Sequence, residues 1–129
     1  MPNETPILIY VVDDDASVRA ALTMLFRSAE MEVKTFEAAE DFLNCQLREQ
    51  NACLISDIKL KGLSGIELQQ QLAERGIQIP VIFLTAFDSN EIRQQTKQAG
   101  AAGYFRKPVD DQALLDAIHW AISGCVLSE

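Results

Sequence analysis

Three short apolar runs constrain the fold of this chain more than any other feature. Ile7-Leu8-Ile9-Tyr10-Val11-Val12, Ala52-Cys53-Leu54-Ile55-Ser56 and Val81-Ile82-Phe83-Leu84 do not alternate in polarity. Each therefore reads as a strand covered on both faces, which is the property of a parallel sheet flanked by helices. Each run also stops abruptly: the first on Asp13-Asp14-Asp15, the second on Asp57, the third on Thr85, while a short fourth run, Gly103 to Arg106, stops on Lys107-Pro108. As neighbouring parallel strands, they would deliver several carboxylates, one hydroxyl and one ammonium to a single crevice at their carboxyl ends, where open α/β sheets bind ligands.

The segments between the runs carry helical periodicity. Val18, Ala21, Leu22, Leu25, Phe26 and Ala29 form one face of an amphipathic first helix, with Asp15 or Ser17 as its cap. Val33 to Phe36 alternates like an edge strand, and Glu37 to Leu47 reads as a second helix. Gly62-Leu63-Ser64-Gly65 is a turn into a third helix that carries Leu68 and Leu72 inward and stops at Gly76. Asp88 with Glu91 resembles a capping box for a fourth helix whose apolar face (Ile92, Thr96, Ala99) is thin. Pro108 stands near the start of a last helix with Leu114, Leu115, Ile118 and Ile122 on one side, leaving His119 and Trp120 off that stripe and free to face a partner. Right-handed crossovers with the apolar runs central leave a flavodoxin-like, doubly wound α/β sheet of five parallel strands in the order 2-1-3-4-5, with five helices. A length of 129 residues suits a single domain, with a core from about residue 7 to residue 123.

Composition excludes some functions. With 19 acidic against 11 basic side chains the formal charge is −8, which repels phosphate backbones, so this segment is not expected to bind nucleic acid by itself. Cys45, Cys53 and Cys125 lack metal or redox spacing and read as reduced structural thiols. Residues Met1 to Pro6 do not form a targeting segment, and no apolar run approaches the ~20 residues a membrane helix needs, so a cytoplasmic protein is expected.

The acidic crevice must be neutralised. Two carboxylates about 4 Å apart repel by about 4 kcal/mol at an effective dielectric near 20, a large share of a total stability of about 5–15 kcal/mol. A raised pKa, Lys107 or a divalent cation can relieve this, and an all-oxygen set without His or Cys favours Mg²⁺, with Mn²⁺ as a substitute.

Val11-Val12-Asp13-Asp14-Asp15, Ser56-Asp57, Leu84-Thr85-Ala86 and Tyr104-Phe105-Arg106-Lys107-Pro108, in this order, resemble the signature of the receiver domain of two-component response regulators. The resemblance implies that Asp57 is the phosphoacceptor, Asp14 a direct Mg²⁺ ligand and Asp13 an acid holding the metal largely through water, with the Lys59 backbone carbonyl completing the set. It further implies that Thr85 donates to the phosphoryl group, that Lys107 pairs with it, that Tyr104 is a switch aromatic turning in behind Thr85, and that the Lys107-Pro108 bond is cis. The implied partner is a sensor histidine kinase, with homodimerisation through helix 4, strand 5 and helix 5 on phosphorylation. The domain would catalyse only its own phosphorylation and dephosphorylation, and so is not an enzyme in the usual sense.

This chain departs from the common receiver pattern after Asp57, where Leu60-Lys61-Gly62 stands without a proline. By the same resemblance Lys59 and Phe87, two residues after Asp57 and Thr85, would flank the path of a hydrolytic water, and neither is a carboxylate or amide that could orient it, so slow loss of the phosphoryl group is expected. A rival, the haloacid-dehalogenase-like phosphatase, would need Asp13 as nucleophile, Asp15 as acid and Asp110-Asp111 on the metal; it leaves Asp57 idle and lacks Gly-Thr after the acidic triplet. Pro80 to Thr85 and Pro108 to Leu115 are worded like receivers of FixJ-type transcription factors. That likeness favours a receiver from a longer DNA-binding regulator over a stand-alone one.

Overall fold

The computed structural model describes residues 5–124. β1 (Leu8–Val12), β3 (Ala52–Ser56) and β4 (Val81–Thr85) are buried along their whole length, and β2 (Glu32–Phe36) and β5 (Gly103–Arg106) lie at the edges. All pairings are parallel and the order is β2-β1-β3-β4-β5, as the apolar runs require. Five helices connect the strands: α1 (Ala16–Ser28), α2 (Ala39–Leu43), α3 (Gly65–Glu74), α4 (Asn90–Gln98) and α5 (Asp111–Ser123).

Strand alternation divides the interior into two layers. One face of the sheet presents Tyr10, Val12, Leu54 and Phe83 to Phe42, Leu68 and Leu72 from α2 and α3. The other presents Ile9, Val11, Ile55 and Leu84 to Leu22 and Phe26 of α1 and to Leu114 and Ile118 of α5. Both faces of the central strands are thereby dry, which explains their unbroken apolar runs. Among the described residues no helix is long and apolar enough to cross a membrane.

Two local expectations change. The second helix is not the span Glu37 to Leu47 but the single turn and a half Ala39–Leu43. Beyond its cap at Asn44 the chain turns so that the Arg48 backbone N–H donates to the Tyr10 hydroxyl at 2.7 Å; Tyr10 is fully buried and its oxygen needs a partner. The fourth helix is capped by Ser89, which accepts from the Ile92 N–H at 3.1 Å, and not by Asp88 with Glu91. Asp88 is diverted because the Arg93 guanidinium takes both its oxygens, at 2.7 and 2.8 Å. As expected, Pro108 stands near the start of the last helix, which begins at Asp111 behind an Asp110 cap, and the Lys107–Pro108 bond is cis.

Other features stand as read. Asp15 caps α1, and α3 opens directly after the expected turn, where the structure adds a complete capping box of Ser64 and Glu67. Cys45 and Cys53 are free thiols, burial pushing the Cys53 thiol up to about 12. Cys125 and residues 1–4 of the N-terminal reading lie outside the described residues.

Candidate functional site

The β-ladder continues one step past the strand ends and so places the polar residues. The Asp57 N–H donates to the Val12 carbonyl at 3.0 Å, the Asp13 N–H to the Phe36 carbonyl at 3.1 Å, and the Lys107 N–H to the Thr85 carbonyl at 2.8 Å. Strand alternation then decides which way each side chain leaves the rim.

Carboxylate oxygens of Asp13, Asp14 and Asp57 lie within 4.8 Å of one another. Asp13 and Asp57 are buried, at 2% and 8% exposure, and Asp14 is half-buried. Lys107 reaches across from the end of β5, its Nζ 2.9 Å from Asp13 Oδ2 and 3.0 Å from Asp57 Oδ2. The Lys59 backbone N–H faces Asp57 Oδ1 at 3.3 Å, and the Asp15 N–H donates to Asp13 Oδ1 at 2.9 Å. Arg19 anchors the loop below by donating to the Asp13 carbonyl at 2.7 Å.

These contacts set the electrostatics. Burial raises the Asp57 carboxyl above the ordinary aspartate range, and the nearby Asp13 charge adds to this while Lys107 only partly opposes it. Burial works against the Lys107 ammonium, but its hydrogen bonds to Asp13 and Asp57 outweigh that penalty and hold it above the usual lysine value. The result is a charged lysine wedged between two buried acids.

Thr85 ends β4 with no exposed surface, and its hydroxyl oxygen accepts the Phe87 N–H at 3.0 Å. Tyr104 lies two register positions back and therefore on the same face of the sheet, since Phe83 pairs with Tyr104 and Thr85 with Arg106. Its hydroxyl is not at the carboxylates; it donates to Asp88 Oδ1 at 3.0 Å. The crevice therefore assembles Asp13, Asp14, Asp57, Lys107 and the Lys59 backbone, with Thr85 on the adjoining strand and Tyr104 beyond it.

Asp15 and Asp110, which the phosphatase alternative needs as acid and metal ligand, are engaged as the caps of α1 and α5. Two contacts made by residues already named escaped the sequence reading. A Cβ on Gly65 would collide with the Asp57 carbonyl and press on Phe83, so the first turn of α3 packs directly under the site; the Gly-Leu-Ser-Gly turn signalled a bend but not this close approach. The Lys59 ammonium lies 4.4 Å from the centre of the Phe87 ring, joining the residues two positions after Asp57 and Thr85.

The family model for the response regulator receiver domain matches residues 9–119. The transcriptional regulatory protein TdiR of Thauera aromatica is 41% identical over 115 residues, 89% of this chain and 51% of TdiR. Among solved structures, the response regulator StyR superposes with a TM-score of 0.85 at 43% identity, covering 92% of this chain and 60% of that one. FixJ-N superposes with the same TM-score of 0.85 at 28% identity, covering 97% and 100%. The chain spans about half the length of the curated relatives it matches.

Proposed function

Because this chain belongs to the response regulator receiver domain family, we propose that it is the phosphoacceptor module of a two-component signalling protein, taking a phosphoryl group on Asp57 from a sensor histidine kinase or a small acyl phosphate. The observation that carries the reading is the Lys107 bridge between Asp13 and Asp57, with Asp14 completing a carboxylate cluster. A structural ion pair needs one acid; three acids around one lysine leave negative charge for a cation to balance.

The donor set fits Mg²⁺: oxygen only, clustered and partly open to water. Asp13, Asp14 and Asp57 with the Lys59 backbone carbonyl would hold it, Mn²⁺ being a substitute. When bound, the cation supplies the charge neutralisation that lets a carboxylate approach phosphoryl oxygens.

The protein's own residues do the rest. An Asp57 carboxylate oxygen forms the new bond to phosphorus, while the bond to the donor breaks: P–N for phosphohistidine, its electron pair returning to the imidazole, or P–O for an acyl phosphate, its electron pair leaving on the carboxylate. Lys107, already at hydrogen-bond distance from Asp57, pairs with the incoming phosphoryl oxygens. Thr85 turns its hydroxyl toward them, giving up the Phe87 N–H, and Tyr104 on the same face follows into the vacated space. The altered surface is that of α4, β5 and α5, where a second copy of the chain would dock. Relatives such as TdiR are named as transcriptional regulatory proteins, and we read the output here as control of transcription in the cytoplasm.

The test is intact-mass or Phos-tag analysis after acetyl phosphate, with and without Mg²⁺, on the wild type and Asp57→Asn. Mg²⁺-dependent label that disappears in Asp57→Asn is expected; label that survives the substitution removes Asp57 from its role.

A further inference from the structure

Asp88 stands three residues after Thr85, in the loop between β4 and α4, and the sequence suggests for it nothing beyond capping α4. Ser89 performs that capping, which leaves the Asp88 carboxylate free for other partners. It has two. Arg93, in the first turn of α4, grips it with Nε at 2.7 Å and Nη2 at 2.8 Å, and the Tyr104 hydroxyl donates to it at 3.0 Å. The guanidinium carbon also lies 5.3 Å from the centre of the Tyr104 ring, so Arg93 both orients the acceptor and covers the ring that donates to it. The Asp88 side chain is only 18% exposed although it sits in a loop. The Arg93 backbone is itself pinned: its carbonyl accepts from the buried Thr96 hydroxyl at 2.9 Å. The triad thus connects the three elements whose relative position would change: the loop that follows Thr85, the start of α4, and β5.

We propose that Asp88 and Arg93 are positioning residues that latch Tyr104 at the rim of the sheet and thereby hold the domain in its resting state. This rests on the reading of Asp57 as phosphoacceptor and Tyr104 as the residue that follows Thr85. For Tyr104 to move behind Thr85 it must surrender a hydrogen bond to a charged acceptor and the guanidinium over its ring. A device that stabilises only the resting conformation opposes phosphoryl binding by the same factor, because the two equilibria are linked. The latch therefore sets how readily Asp57 captures its ligand without touching it.

The test uses beryllofluoride with Mg²⁺ as the probe, measuring its affinity for the wild type, Asp88→Ala, Arg93→Ala, Tyr104→Phe and the Asp88→Ala/Tyr104→Phe double variant. Tyr104→Phe keeps the ring and loses only the hydroxyl, and all these side chains sit at or near the surface, so thermal unfolding serves as the check on folding. Asp88→Ala is expected to tighten binding about fivefold, Tyr104→Phe to do nearly as much, and the double variant to gain little beyond either. A merely structural loss would not tighten binding, nor would it be non-additive with the loss of one hydroxyl. Unchanged or weakened affinity in Asp88→Ala, or fully additive effects in the double variant, overturns the latch while leaving the phosphoacceptor reading intact. A wild type that does not bind beryllofluoride at all, or an Asp57→Asn that binds it equally well, overturns that reading and the latch with it.

Discussion

Lys107 Nζ lies 3.0 Å from Asp57 Oδ2 and 2.9 Å from Asp13 Oδ2, so one ammonium is shared by two carboxylates at the ends of β1 and β3. Three strands are thereby tied together at the rim of the sheet by charge and not by backbone. With Asp14 alongside, the cluster still holds more negative than positive charge, and its properties follow from that imbalance.

Asp57 is held above its ordinary value, chiefly by burial. A carboxyl raised in the folded state binds its proton more tightly there than in the unfolded chain. Its contribution to stability is present below the unfolded value of about 3.9 and is lost as pH rises through the folded value, so at neutral pH the charge opposes folding. In the absence of divalent ions, Asp57→Asn should therefore melt about 2–5 °C above the wild type at neutral pH, and the gap should shrink as pH falls toward about 4. A variant that melts lower at neutral pH would contradict the electrostatic account.

Cation binding should stabilise the fold through the same carboxylates. At ten times its Kd, Mg²⁺ is expected to add about 1.4 kcal/mol, a rise of about 3–6 °C in Tm, reversed by EDTA. Asp14→Asn should abolish most of this rise, since Asp14 is the acid of the three that lacks a lysine contact. An equal Mg²⁺ shift in that variant, read by differential scanning calorimetry, would place the ion elsewhere.

Removing Lys107 separates affinity from signalling. Lys107→Ala deletes a positive charge that competes with the metal, so Mg²⁺ should bind more tightly by calorimetric titration, while phosphorylation by acetyl phosphate slows. Weaker Mg²⁺ binding would mean that the lysine organises the acids more than it competes for them.

Gly65 carries no chemistry, yet a methyl group there would strike the Asp57 carbonyl. Gly65→Ala should lower Tm and reduce the phosphorylation rate together, because relieving the collision displaces either α3 or the Asp57 backbone. Gly76→Ala, where a Cβ meets nothing but φ is +71°, should lower Tm without changing the rate at comparable stability. Parallel loss of rate in both variants would reduce the Gly65 effect to simple destabilisation.

Lys59 and Phe87, whose backbone N–H groups face Asp57 and Thr85, meet as a cation over a ring, and neither side chain can orient an attacking water as a carboxylate or amide would. Phosphorylated protein should lose its label slowly after the donor is removed, and Lys59→Asn or Phe87→Gln should shorten its half-life several-fold in a Phos-tag time course. A wild-type half-life of seconds would refute this.

How much could be read in advance differs from place to place for physical reasons. The central strands were legible because burial on both faces forces unbroken apolar runs, and the ends of those runs located Asp13, Asp14, Asp57 and Thr85, while Lys107 followed the short edge run. The length of α2 was not, since it is set by the need of the buried Tyr10 hydroxyl for the Arg48 N–H, a partner 38 residues away. The cap of α4 was misread for a similar reason: Asp88 and Ser89 are both good caps locally, and only Arg93 and Tyr104 decide between them.

The chain by itself thus determined which residues are apolar in succession and which polar group ends each run, and period and parallel connectivity carry that information into a five-stranded sheet with a charged rim. Tertiary structure alone decided how the rim groups pair: Lys107 across two strands, Lys59 against Phe87, Tyr104 with Asp88, and Gly65 beneath Asp57. Such contacts join residues far apart in sequence through side-chain directions that spacing does not encode, and they come into being only when the sheet brings the strand ends together.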